Sequence, residues 1–157
     1  MNDRIRSRRT PYDDNYETCL ETRTVFTVYP KRISPDELTR RLGLEPSSTQ
    51  RAGEARTNSL GRQRVVPVNG WFLSSEGHVT SNDLRRHLDW LLAKLQPVNA
   101  AISALQNEVD VSMSVNCIWW SRGSGGPTLW PEQMLALANL DLECAFDIYF
   151  VDEDPRE

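Results

Sequence analysis

Val111-Ser112-Met113-Ser114-Val115-Asn116-Cys117-Ile118-Trp119-Trp120 is the stretch whose pattern governs the rest. Val111, Met113, Val115, Cys117 and Trp119 alternate with Ser112, Ser114, Asn116, Ile118 and Trp120, so a strand puts the two sets on opposite sides. One side is apolar throughout. The other is polar until it turns aromatic at its end. Such a strand belongs to a sheet with one covered face, and antiparallel sheets are the kind that leave a face to water.

Outward from there, the flanking segments carry their own signals. Cys19 to Tyr29 is rich in Thr, Val and aromatics and reads as a first strand ended by Pro30. Thr24, Phe26 and Val28 share one side; Val25, Thr27 and Tyr29 share the other. Ser34-Pro35-Asp36-Glu37 opens a helix, because the Ser hydroxyl can accept an early N–H and Pro35 has none to leave unpaired. Gly43 supplies the left-handed residue that stops it. Residues 45–62 show no period and read as a long polar loop. Asn69-Gly70, between Val65–Val68 and Trp71–Ser75, predicts a type I′ hairpin whose first arm is an edge strand, because Pro67 cannot donate.

Ser81 is expected to begin a long helix with Leu84, Leu88, Leu91, Leu92 and Leu95 on one side, broken at Pro97 and resumed by Val98, Ala101, Ile102 and Leu105. Pro131 starts another helix with Asn139 as its left-handed stop, and Cys144, Phe146, Ile148 and Phe150 alternate in a last strand. The order β-α-β-β-α-β-α-β defines an α+β domain. It is an antiparallel sheet with helices packed on one face, a ferredoxin-like βαββαβ core and a C-terminal αβ extension. The expected division is a charged tail at 1–16, disordered or loosely docked, one domain at 17–151, and an acidic tail at 152–157.

Of 157 residues, 39% are hydrophobic and 25% charged, with a formal net charge of −4. That balance argues against a dedicated duplex-DNA binder. The charge is uneven: Lys31 to Arg64 holds eight basic and four acidic residues, and Asp141 to Glu157 holds seven acidic residues with Arg156. No apolar run is long enough to span a bilayer, and the start lacks the apolar core of a secretory signal. Cys19, Cys117 and Cys144 lie in strand-like sequence without CxxC spacing, the pattern of buried free thiols in a reducing cytoplasm.

The chemistry-bearing residues are sparse. His78 and His87 are nine apart and the cysteines are scattered, so no metal set can be drawn and no cofactor is implied. An enzyme would need Asp147, His87 and Ser75 to converge in one cleft. Ser121-Arg122-Gly123-Ser124-Gly125-Gly126-Pro127 invites an anion-cradling reading but lacks the Gly-Lys-Ser/Thr ending, and reads as a connector. Trp119 and Trp120 must point to opposite faces, so one of them is left for water, a loop or a ligand. Arg51, Trp71, Ser75, Trp120, Ser121, Arg122, Gly125, Gly126 and Asp147 form the candidate binding surface.

Glu17-Thr18-Cys19, Ser34-Pro35-Asp36-Glu37-Leu38 with Leu42-Gly43-Leu44, and Arg51 with Gly53-Glu54 carry a further likeness. So do Gly70-Trp71, Ser74-Ser75-Glu76, Leu88 to Leu92, Gly125 to Leu129, and Asp147-Ile148-Tyr149-Phe150. In that order, over roughly residues 17–150, they resemble a bacterial family catalogued as domain of unknown function 4279. The resemblance implies one domain and transfers no catalytic residue. In size and acidity the chain is also similar to immunity proteins of bacterial toxin systems. The expectation is a non-enzymatic module that binds another protein as an immunity or inhibitor protein does. The alternative is nucleic-acid or nucleotide binding through aromatic and arginine side chains.

Overall fold

The computed structural model describes residues 7–108 and 110–151. In chain order its elements are β1 (Cys19–Pro30), α1 (Pro35–Leu42), β2 (Ser48–Gln50), β3 (Ala55–Thr57), β4 (Gln63–Val65) and β5 (Gly70–Ser74). They continue with α2 (Leu84–Leu95), a 3₁₀ turn at Gln96–Val98, α3 (Asn99–Gln106), β6 (Val111–Ser121), α4 (Pro131–Asn139) and β7 (Glu143–Phe150). The five-stranded sheet runs β2-β5-β1-β6-β7, and β3 pairs with β4 in a separate small sheet.

β1 and β6 are the two longest strands, 12 and 11 residues, and pair antiparallel from Cys19↔Ser121 to Pro30↔Val111. β5 pairs antiparallel with both β1 and β2. This order of β2, β5, β1 and β6 is that of a split βαβ, ferredoxin-like frame. The extension adds β7 beside β6, but in parallel, which departs from an all-antiparallel sheet. The reason is topological. A helix, α4, joins the two strands, and a crossover of that kind returns the chain in the same direction.

Alternation along the strands decides the core. Thr24, Phe26 and Val28 of β1, Trp71 and Leu73 of β5, and Val115, Cys117 and Trp119 of β6 are buried under the helices. From above, α1 contributes Leu38 and Leu42, α2 contributes Leu84, Leu88, Leu91, Leu92 and Leu95, and α3 contributes Ile102 and Leu105. Burying such side chains is the main stabilising term of the fold. Trp71 Nε1 donates to Thr39 Oγ1 at 3.0 Å, which pins α1 to β5. Among the described residues no helix covers the other side of the sheet.

Local signals act largely as their chemistry requires. Ser34 Oγ accepts the Glu37 N–H at 3.2 Å, and Gly43 closes α1 at φ 67°. Glu37 pairs forward with Arg40. The 3₁₀ turn contains Pro97 and separates α2 from α3, as the missing N–H demands.

Four expectations are corrected. Asn69-Gly70 makes no hairpin: Gly70 opens β5, whose two neighbours are β1 and β2, and β4 turns away to pair with β3. Asn69 serves tertiary structure, its Oδ1 accepting the Ala52 N–H at 2.8 Å. The 45–62 loop contains β2 and β3, three residues each, whose pairing comes from main-chain hydrogen bonds and leaves no side-chain period. The long helix starts at Leu84, not Ser81, because the Asp83 carboxylate caps it through the Arg85 N–H. The left-handed residue after α4 is Asp141, φ 52°, and not Asn139. The expected acidic tail and residues 1–6 of the expected N-terminal tail lie outside the described residues.

Candidate functional site

The nine residues of the candidate surface separate into five places. Trp71 and Ser75 are core residues with 0% exposure, and Ser121 is buried with its hydroxyl donating to Gly123 O at 2.7 Å. Arg51 lies at the β2 end of the sheet, in an ion pair with Asp36 of α1. Arg122 Nε donates to Glu17 O at 2.9 Å. Gly125 and Gly126 approach Tyr16, whose hydroxyl accepts the Gly126 N–H at 3.2 Å. Trp120 and Asp147 remain together on the helix-free face.

Ser75 and His87 do meet, inside the core. Ser75 Oγ is 2.8 Å from His87 Nδ1, and His87 Nε2 is 2.7 Å from Ser81 O. A carbonyl can only accept, so Nε2 carries the proton and Nδ1 accepts from the Ser75 hydroxyl. Ser75 Oγ in turn accepts the Thr24 N–H at 3.0 Å. Burial holds His87 below the ordinary imidazole value, against the opposing pull of its Ser81 hydrogen bond and of Asp83. Asp147 takes no part. It stands on β7, separated from β5 by β1 and β6, about 14 Å at ordinary strand spacing. The three residues an enzyme would need therefore do not assemble.

A second cluster, missed in the sequence, lies at the start of α2. Arg85 and Asp83 form a bidentate pair at 3.0 and 2.7 Å, each side chain only 5% exposed. Arg85 also donates to Thr10 O, Thr10 Oγ1 and Pro11 O, so residues 10–13 run across it as a strap. Asp83 Oδ2 accepts the Asp13 N–H at 2.7 Å. Burial pushes the Asp83 carboxyl up, but hydrogen bonds from Arg85 and from the Asp13 and Arg85 N–H groups outweigh it and leave the group below its ordinary value. The Arg85 guanidinium sits 4.8 Å from the Trp130 ring and that of Arg86 3.6 Å from the Tyr12 ring. Burial and the hydrogen bond to Asp89 push the Tyr12 phenol up to about 12. A cavity of about 450 Å³ opens here beside Tyr16, Trp119 and Gly126, but the guanidinium it borders is already committed to the strap and to Asp83.

The helix-free face is different in kind. Register places Glu21, Trp120 and Tyr149 in one row across β1, β6 and β7, and Arg23, Ile118 and Asp147 in the next. Trp120 stacks on Tyr149 with ring centroids 4.4 Å apart and planes 19° from parallel. Tyr149 is 47% exposed. Neither the Trp119 nor the Trp120 indole N–H has an acceptor among the described residues, so Trp120 offers its ring surface and not a hydrogen bond. Thus an aromatic pair with Ile118 is bordered by Glu21, Arg23 and Asp147. Arg23 is itself paired with Glu21 at 3.1 Å and Glu76 at 3.6 Å.

Among the described residues no group of three or more His, Cys, Asp or Glu side chains could hold a metal, and no helix is long and apolar enough to cross a membrane. Frame and site together define an α+β domain with a parallel αβ extension, one sheet face under helices and the other without a helix over it among the described residues. The chain belongs to the family described as Domain of unknown function (DUF4279), whose model matches residues 20–151. Neither a curated protein nor a solved structure matches it. The family match begins after the strap, so the Arg85 cluster joins matched residues to a segment outside the match.

Proposed function

We propose that this chain is a non-enzymatic binding module whose partner is another protein, engaged on the helix-free face around Trp120 and Tyr149. The stacked pair carries the reading. A half-buried Trp held flat by a Tyr gives a rigid apolar anchor with little entropy left to lose, and a polar border is the usual setting of such an anchor in a protein interface. The acidic balance of the chain favours a basic partner, the role an immunity or inhibitor protein plays toward a toxin or enzyme. Nucleic-acid binding has less support. Arg23, in the row beside the stack, is paired with Glu21 and Glu76, and Arg51 and Arg56 are paired with Asp36 and Glu54.

The test is affinity capture from the cells in which the chain is native, with wild type, Trp120→Ala and Arg64→Ala as baits. A protein held in 1:1 ratio by wild type and by Arg64→Ala, and lost with Trp120→Ala, is the expected result. Equal capture by all three baits overturns the reading. So does capture of nucleic acid alone with steep salt dependence.

A further inference from the structure

We propose that two copies of this chain pair antiparallel through β7, with Ile148 on the two-fold axis, to form a continuous ten-stranded sheet. β7 is one rim of the five-stranded sheet, and among the described residues no strand pairs with its outer side. The Val151 N–H donates to Ser121 O at 2.9 Å, so the odd-numbered residues of β7 face β6. Phe146, Ile148 and Phe150 therefore direct their main-chain N–H and C=O groups outward. Their side chains are 45%, 50% and 72% exposed on the helix side of the sheet.

A rim of eight residues without Pro, Lys or a bulge, its charges limited to Glu143 and Asp147, carries few of the devices that keep monomeric sheets apart. The opposite rim has such a device: β2 is three residues long. Symmetry limits the registers open to a second copy. Two identical strands about a two-fold axis keep outward groups facing outward groups only if the axis passes through a residue position. Centred on Asp147, the pairing sets carboxylate against carboxylate at the closest cross-strand spacing. Centred on Ile148, it sets Phe146 against Phe150 of the second copy and Asp147 against the neutral ring of Tyr149. Each outward N–H and C=O of Phe146, Ile148 and Phe150 then has a partner. A second copy closes the rim by symmetry, as an isologous interface must.

The register provides the test. Sedimentation equilibrium of the wild-type chain should give twice the 18.0 kDa chain mass. Phe146→Lys alone and Phe150→Glu alone should each weaken the dimer about tenfold or more, since each change counts twice about the axis. The double variant Phe146→Lys/Phe150→Glu should restore it, because in this register alone the two positions face each other in both pairs. Circular dichroism on each variant reports whether the monomer is intact. A wild-type monomer at all soluble concentrations, open-ended assembly, or a folded double variant that stays monomeric would each overturn the proposal. The two readings share Tyr149, but Trp120 stands on β6 outside the β7 pairing, so Trp120→Ala should leave the dimer unchanged and the two results are told apart by that variant.

Discussion

The Ser75 hydroxyl and the His87 imidazole lie 2.8 Å apart with no measurable exposure for Ser75, a hydrogen bond built into the core and not into a cleft. It locks the end of β5 to α2. Ser75→Ala strands the Thr24 N–H and the His87 Nδ1 together, so about 1–3 kcal/mol of stability should be lost in denaturant titration. The pH dependence follows from the lowered His87 value. Folded His87 stays neutral while the unfolded imidazole takes up a proton near 6.5, so stability is full above that pH and falls as pH drops below it. A urea series from pH 7.5 to 5 should show the slope, and His87→Gln should flatten it.

Arg85 is the keystone of the N-terminal strap. Arg85→Ala leaves the Asp83 carboxylate buried and unpaired, and breaking such a pair costs about 3–5 kcal/mol. Limited proteolysis should then cut within residues 7–16 well before the domain. Tyr12→Phe removes only the hydrogen bond to Asp89 and should leave the strap in place. Equal protease resistance of Arg85→Ala and wild type would show that the strap does not depend on this contact.

Gly125 has φ +107°, and a Cβ there would fall 2.2 Å from the Tyr16 hydroxyl. Gly125→Ala combines a strained backbone with a displaced ring, and should destabilise the chain by about 1–3 kcal/mol. Tyr16 meets Trp119 edge-on at 5.3 Å, so the substitution should also change tryptophan fluorescence. Gly126→Ala meets open space and is the control.

The cysteines should differ in reactivity. Burial pushes the Cys19 thiol up to about 11, and a hydrogen bond to Cys144 together with burial raises Cys117 further. Cys144 is half-buried and its thiol is lowered by the same hydrogen bond. Alkylation of the native protein at pH 8, followed by mass spectrometry, should mark Cys144 first and leave Cys19 and Cys117 until unfolding.

How far the sequence could be read depended on what the side chains report. β1, β6 and β7 were legible because each is long and alternates, and α1 because Ser34, Pro35 and Gly43 mark its ends chemically. β2, β3 and β4 are held by main-chain pairing in a polar segment, where side chains carry no period. The Asn69-Gly70 signal was overridden by β1 and β2 claiming both sides of β5. At the site, adjacency alone placed Trp119 and Trp120 on opposite faces. The Tyr149 stack needed the parallel register of β7, which follows from the crossover and not from composition. Arg85 was invisible because an arginine beside Arg86 on a helix looks solvated, and only the folded strap buries it.

Adding β7 moves β6 from the rim of the sheet to its interior. The rim thereby changes from an eleven-residue strand with serine and asparagine on one side to an eight-residue strand rich in aromatics. The α4–β7 unit is anchored from within, since Ala136, Leu137, Leu140 and Leu142 share the core with α2, so the freedom to vary that border lies in the exposed side chains of β7 and not in α4.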